Sequence, residues 1–79
     1  MKRPSKERLE RLRRAFQPGM RVRLVRMEDV QAPPAGTCGT VRWVDDLGSI
    51  HIAWDTGGNL AALDGEDMVE RLSGDSGNA

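Results

Sequence analysis

The feature that most constrains the fold of this 79-residue chain is the strict alternation of apolar and other side chains in the segment 49–55, "SIHIAWD". One face of this segment receives Ile50, Ile52 and Trp54, and the opposite face receives His51. A period of two is that of a β-strand with one buried face. The segment therefore predicts a strand whose apolar face, Trp54 included, lies in the core.

The same period recurs in the segments before and after it. "RVRLVRM" begins at Arg21 and alternates as far as Leu24, where Val25 interrupts the pattern and indicates either a bulge or a strand end with apolar residues on both faces. "TCGTVRWVDD" is expected to place Val41 and Trp43 on one face.

Loops rich in Pro and Gly separate these segments, and shorter strands follow at 60–63 and at "MVERL". The sequence thus predicts a mainly β fold, a small, strongly bent barrel of five strands over residues 18–72, in which closure removes exposed strand edges.

Residues 1–17 form a separate, basic segment that predicts an amphipathic helix. Ser5 suits an N-cap, and Pro18 with the following glycine ends the helix. Leu9, Leu12 and Phe16 fall on one helical face. Two ion pairs of i,i+4 spacing are expected along it, Glu7–Arg11 and Glu10–Arg14.

The charges of the chain balance, with 12 cations and 12 anions, but they are unevenly distributed. The first fourteen residues carry +5, from two anions and seven cations, which are Lys2, Arg3, Lys6, Arg8, Arg11, Arg13 and Arg14. The remaining residues carry −5. This basic arm (residues 1–14) on an acidic body (the remaining residues) has two interpretations. Either the helix docks on its own domain, or its cations bind the phosphates or carboxylates of a partner. The sequence leaves both open.

Composition excludes several classes of protein. A single cysteine allows no internal disulfide, and one histidine with one cysteine cannot build a structural zinc site. No apolar run approaches the roughly 18 residues of a membrane span. We therefore expect a cytoplasmic protein that binds neither cofactor nor metal and has no membrane partner. The last segment, 73–79, lacks apolar anchors and is predicted to be disordered.

The residues that carry chemistry do not form a catalytic set. His51 has Asp45 or Asp46 within reach across the hairpin, but no nucleophile completes the group. Cys38 has no cationic setting that would activate it. Trp43 fits either a core position beside Val41 or the aromatic of a ligand groove. An enzyme is therefore not expected, and the candidate binding residues of the barrel are Arg42, Trp43 and His51.

The order of motifs between Pro18 and Glu70 resembles domain-of-unknown-function family 4314. The segments that carry the resemblance are "PAGTCGTV", "VDD", "WDTG" and "GED", and the basic helix lies outside it. The layout is also similar to SH3-like barrels of the KOW and mind-bomb types. The resemblance implies an SH3-like binding module of a phage, plasmid or conjugative element.

From these observations we expect a non-enzymatic module that binds a host or defence-related protein, with inhibition of that protein as one consequence. The alternative is a nucleic-acid-binding accessory protein, in which the basic helix follows the phosphates and Trp43 or His51 stacks on a base. The sequence does not indicate an oligomeric state.

Overall fold

The computed structural model describes residues 3–72, which form one helix and five antiparallel strands of a single sheet. The elements are α1 (Lys6–Ala15), β1 (Arg21–Arg26), β2 (Cys38–Val44), β3 (Ser49–Trp54), β4 (Ala62–Leu63) and β5 (Met68–Arg71). The strand order is β4-β3-β2-β1-β5. The mainly β fold with an N-terminal helix is confirmed. Lys2 and the tail predicted at 73–79 lie outside the described residues.

Helix α1 begins where the sequence predicts. The Ser5 hydroxyl accepts a hydrogen bond from the Arg8 backbone N–H at 3.1 Å, which satisfies one of the unpaired donors of the first turn. The helix ends before Phe16, whose backbone N–H still donates to the Leu12 carbonyl. Leu12 is buried in the core and Phe16 packs against it, so the apolar face of α1 rests on the sheet. No helix among residues 3–72 is long and apolar enough to cross a membrane.

The core lies between the inner face of the sheet and α1. Its buried members are Leu12, Val22, Leu24, Val41, Val44, Ile50, Ile52, Trp54 and Ala62. The prediction that the apolar face of β3 is buried is confirmed, and the Trp54 indole N–H also donates to the Leu60 carbonyl at 2.9 Å. This bond satisfies the one polar atom of a ring that is otherwise surrounded by apolar side chains.

Two bulges change which side chains face the core. In β1 the pairing with β5 shifts between Leu24 and Arg26, which confirms the bulge suggested by Val25. In β2 the pairing with β3 shifts between Val41 and Trp43. Arg42 is the extra residue of this second bulge, and it reverses the alternation of β2 from that point on.

The second bulge makes one sequence prediction wrong. Trp43 does not share the inner face with Val41. It lies opposite His51 on the outer face, where 49% of its surface is exposed, and Val44 takes the next core position. The side chain of Arg42 is exposed as well.

The ladder of the sheet is open. β4 and β5 are its two edge strands, and the isolated bridge found within residues 3–72 joins Asp64 to Asp67 in the segment that connects them. Closure into a barrel, and with it the SH3-like class, is therefore not confirmed. β4 is shorter than the predicted strand at 60–63 because Leu60 turns its carbonyl to Trp54 instead of joining the ladder. With only two residues, β4 is too short to form a ladder with β5 in addition to its pairing with β3.

Candidate functional site

The outer face of the β2–β3 hairpin carries an exposed aromatic cluster. The rings of Trp43 and His51 stack with centroids 4.5 Å apart and planes inclined by 13°. The Arg42 guanidinium carbon lies 6.0 Å from the centre of the Trp43 ring, at the outer limit of a cation–π contact. We call Arg42, Trp43 and His51 the aromatic patch. The bulge creates it, since a regular strand would have placed Trp43 inside.

Asp45 fixes the aromatic patch to the hairpin turn. One carboxylate oxygen, Oδ2, lies 2.8 Å from His51 Nε2, while the other, Oδ1, accepts the backbone N–H groups of Leu47 and Ser49 at 2.9 Å each. Desolvation raises the pKa of Asp45, but these hydrogen bonds outweigh it and lower the pKa below its ordinary value. The carboxylate is thus held ionised while it orients the imidazole.

The turn itself follows from its sequence. The Asp45 N–H donates to the Ser49 carbonyl and the Gly48 N–H donates to the Asp45 carbonyl, both at 3.0 Å. Gly48 has a φ of 84°, a left-handed value that a glycine adopts without strain. The predicted hairpin turn is confirmed, and its first residue also positions His51.

The cations of helix α1 divide into two groups. Arg8 donates to the Asp64 carboxylate at 2.6 Å and 2.9 Å. Arg13 donates to the Val44 carbonyl at 3.2 Å and to Asp46 at 2.8 Å. In helical projection these two arginines flank the apolar stripe on either side. They therefore hold the docked helix to the body of the protein.

The second group of cations lies on the solvent face of α1. Lys6, Arg11 and Arg14 are exposed there together with Glu7 and Glu10. The two predicted i,i+4 ion pairs do not form: among residues 3–72, no carboxylate lies within 4.0 Å of Arg11 or Arg14. The helix forms its ion pairs with distant residues instead, through Arg8 with Asp64 and through Arg13 with Asp46. The solvent face thus carries three cations and two anions.

Within residues 3–72, no group of three or more His, Cys, Asp and Glu side chains converges as a metal site would require. Cys38 is a half-buried free thiol, and its Sγ lies 3.9 Å from the Gly36 carbonyl. Among the described residues, His51 contacts the Asp45 carboxylate and the Trp43 ring, and no Ser, Thr or Cys side chain forms a hydrogen bond with it.

A family model for a domain of unknown function, DUF4314, matches residues 5–72. The chain belongs to the DUF4314 family. No curated protein and no solved structure matches it.

The extent of the DUF4314 match corrects one sequence prediction. The resemblance was expected to begin at Pro18 and to leave the helix outside, but the match begins at residue 5 and includes α1. The helix packs on the sheet through Leu12 and is tied to it through Arg8 and Arg13. Helix and sheet therefore form a single DUF4314 domain, rather than an arm attached to one.

The structure brings together only some of the residues predicted to bind a partner. Arg42, Trp43 and His51 meet in the aromatic patch. Arg8 and Arg13 are engaged with the body of the DUF4314 domain. The other predicted residues that the structure describes are exposed cations on or before the helix, namely Arg3, Lys6, Arg11 and Arg14.

Sequence reasoning missed the residues that support these groups. Asp64 and Asp46 were not assigned to Arg8 and Arg13, because the contacts span 56 and 33 positions of the chain. The bulge at Arg42 did leave a signal: Val41 and Val44 are spaced by three, so a regular strand cannot bury both. That spacing is compatible with an extra residue between the two valines, and the pairing of β2 with β3 shows that this residue is Arg42.

Proposed function

We propose that this DUF4314 domain is a non-enzymatic binding module whose contact surface for a partner protein is centred on the aromatic patch. The observation that carries the proposal is the exposure of Trp43. Half of the largest type of side chain remains in water, although the adjacent Val44 is buried. Tryptophan and arginine are the residues most enriched among the few that dominate binding energy at protein interfaces.

The aromatic patch is also pre-organised. Trp43 is stacked on His51, and His51 is in turn held by Asp45, so the ring has support on the hairpin side before any partner arrives. Side chains already fixed in one geometry lose less conformational entropy on binding, about 0.5–1.5 kcal/mol for each one that needs no further ordering. This arrangement favours a binding role for Trp43 over the alternative that it is a surface residue without a function.

The distribution of charge favours a protein partner over nucleic acid. Arg8 and Arg13 are neutralised by Asp64 and Asp46, and the cations that remain on the solvent face of α1 share it with Glu7 and Glu10. Nucleic-acid binding depends on several cations that release counterions from consecutive phosphates. The −5 charge of the body opposes the same contact.

Two finer assignments belong to this proposal. The five-stranded sheet with consecutive strands β1 to β4 adjacent, and β5 returning beside β1, supports an SH3-like barrel type. The resemblance stated above supports a cytoplasmic module encoded by a phage or another mobile element, with a host or defence-related protein as its target and inhibition as its effect.

The test compares three immobilised proteins in nuclease-treated bacterial lysate: the natural chain, Trp43→Ala, and Met68→Ala as a control at another exposed apolar position. We expect a specific protein to be retained by the first and third and lost from Trp43→Ala, with circular dichroism showing all three folded. Equal retention by Trp43→Ala would remove the aromatic patch from the proposal. Tight, salt-sensitive binding of a fluorescent oligonucleotide would favour the nucleic-acid alternative instead.

A further inference from the structure

An apolar cleft lies between the start of helix α1 and the hairpin turn. It has a volume of about 510 Å³ and is lined by Pro4, Leu12, Leu47 and Leu63, with Arg3 in its wall. Ligand sites usually occupy about 300–1,000 Å³. Leu47 is 58% exposed here and Leu63 is also exposed. We call it the helix–turn cleft.

The two cations in and beside the helix–turn cleft do not stabilise helix α1. Arg3 and Lys6 lie at the N-terminal end of α1, where the helix dipole disfavours cations. Neither forms an ion pair within residues 3–72. The acidic residues of the wall are Asp64, which is neutralised by Arg8, and Glu66. Arg3 thus offers a cation to a carboxylate that lies beside an apolar side chain in the cleft.

The chain itself presents a segment of that chemistry on the loop between β1 and β2. Val30 is fully exposed, and Glu28 and Asp29 precede it. The loop is ordered by its own turn: Asp29 Oδ1 accepts the Gln31 N–H at 2.8 Å, and the Asp29 carbonyl accepts the Ala32 N–H at 3.0 Å. A valine is therefore held out from the surface on an acidic turn.

We infer that the Val30 turn of one copy of this chain docks in the helix–turn cleft of a second copy. The valine covers Leu47 and Leu63, and the carboxylates of Glu28 and Asp29 face the Arg3 side. The local charges agree with this contact at one point, because Arg3 of the cleft has no carboxylate partner within residues 3–72 and the turn carries Glu28 and Asp29. A net charge of zero imposes no repulsion between copies.

Residues 73–79 are a less suitable occupant of the cleft. Their sequence, "SGDSGNA", offers no apolar side chain larger than alanine. Since the contact joins two different surfaces, it is heterologous, and it extends from copy to copy unless the geometry closes a ring.

Sedimentation equilibrium of the full chain, from micromolar to millimolar concentration, tests the inference. We expect an average mass that rises with concentration and falls on addition of salt. Val30→Ser and Leu47→Ser should each weaken the association about tenfold or more, as the loss of one buried aliphatic contact implies. The matched control is Val25→Ser, at another exposed valine, and it should associate like the natural chain.

A mixing experiment separates this contact from any other. Val30→Ser retains an intact cleft and Leu47→Ser retains an intact valine, so an equimolar mixture should form a pair that neither variant forms alone. A monomer at all concentrations, or a mixture no heavier than its components, would overturn the inference. Trp43→Ala should associate normally, so failure here leaves the aromatic patch unaffected, and failure of the aromatic patch leaves this contact unaffected.

Discussion

Asp45 and His51 are joined across the β2–β3 hairpin by a contact of 2.8 Å between Oδ2 and Nε2. The same carboxylate accepts two backbone N–H groups of the turn, so one side chain both closes the hairpin and orients the imidazole beneath Trp43. Local turn chemistry and the proposed binding surface therefore depend on a single residue.

The first prediction concerns the removal of this carboxylate. Asp45→Ala leaves the two turn donors and His51 without their acceptor, and we expect the free energy of unfolding in urea to fall by about 1–3 kcal/mol. The control is Asp46→Ala at the next position, where an exposed ion pair with Arg13 is lost. That loss should cost at most about 1 kcal/mol. Equal effects would show that Asp45 contributes nothing beyond its surface charge.

The second prediction is that the free energy of unfolding decreases at acid pH. The pKa of Asp45 lies below its ordinary value of 3.8 in the folded protein, so the unfolded chain takes up the proton first. Stability from this group is fully present above that ordinary value, and is lost as the pH falls through the folded pKa. The pKa of Asp55 is also lowered, by its hydrogen bonds from Arg21 against a smaller opposing desolvation, and the sign is the same.

Urea midpoints between about pH 6 and pH 3 measure this effect. We expect the midpoint of the natural chain to fall on the acid side of pH 4, and that of Asp45→Asn to fall less steeply, because one of the responsible carboxylates is gone. A parallel decline in the two proteins would show that Asp45 has the same pKa in the folded and unfolded states.

The third prediction separates two contributions of helix α1 to stability, namely the packing of Leu12 and the ion pair of Arg8. Leu12 is buried, and Leu12→Ala should lower the free energy of unfolding by about 2–4 kcal/mol. Arg8→Ala removes an exposed ion pair with Asp64 and should cost about 0.2–1 kcal/mol. Arg11→Ala, on the solvent face, is the control and should leave stability unchanged. If Leu12→Ala has no effect, the helix does not stabilise the sheet.

The docking of the helix shows how far a sequence of this length determines its fold. The positions of Leu9, Leu12 and Phe16 were sufficient to predict the helix and its apolar face, because spacing along one helix is a local property, but they left open whether that face docks on the sheet. The attachment of Arg8 to Asp64 was not predictable, since it depends on where a distant turn lies in space.

The aromatic patch illustrates the opposite case, in which a local rule failed. Strict alternation placed Trp43 on the same face as Val41, yet a single extra residue at Arg42 moved it to the outer face. A one-residue shift in a strand moves every later side chain to the other face. The identity of the candidate residues was thus predictable from their types, but their grouping required the register of the sheet.

The last prediction concerns Gly39 of β2, which pairs with Trp54 of β3. A Cβ built at this position would lie 2.6 Å from Ile52 Cγ2, 2.9 Å from the Ala53 carbonyl oxygen and 3.0 Å from Trp54 Cε3. The backbone oxygen cannot withdraw without disturbing the strand pairing, so Gly39→Ala should lower the free energy of unfolding by about 1–3 kcal/mol.

The matched substitution is Gly36→Ala, in the loop that precedes β2. A Cβ there meets nothing within 4 Å, and only the φ of 93° opposes it. That strain, about 1–2 kcal/mol, is partly offset because alanine restricts the unfolded chain. We therefore expect Gly36→Ala to be the milder change in a urea titration. If Gly39→Ala proves equally mild, the strands β2 and β3 lie farther apart in solution than the contacts at Ile52 and Ala53 require.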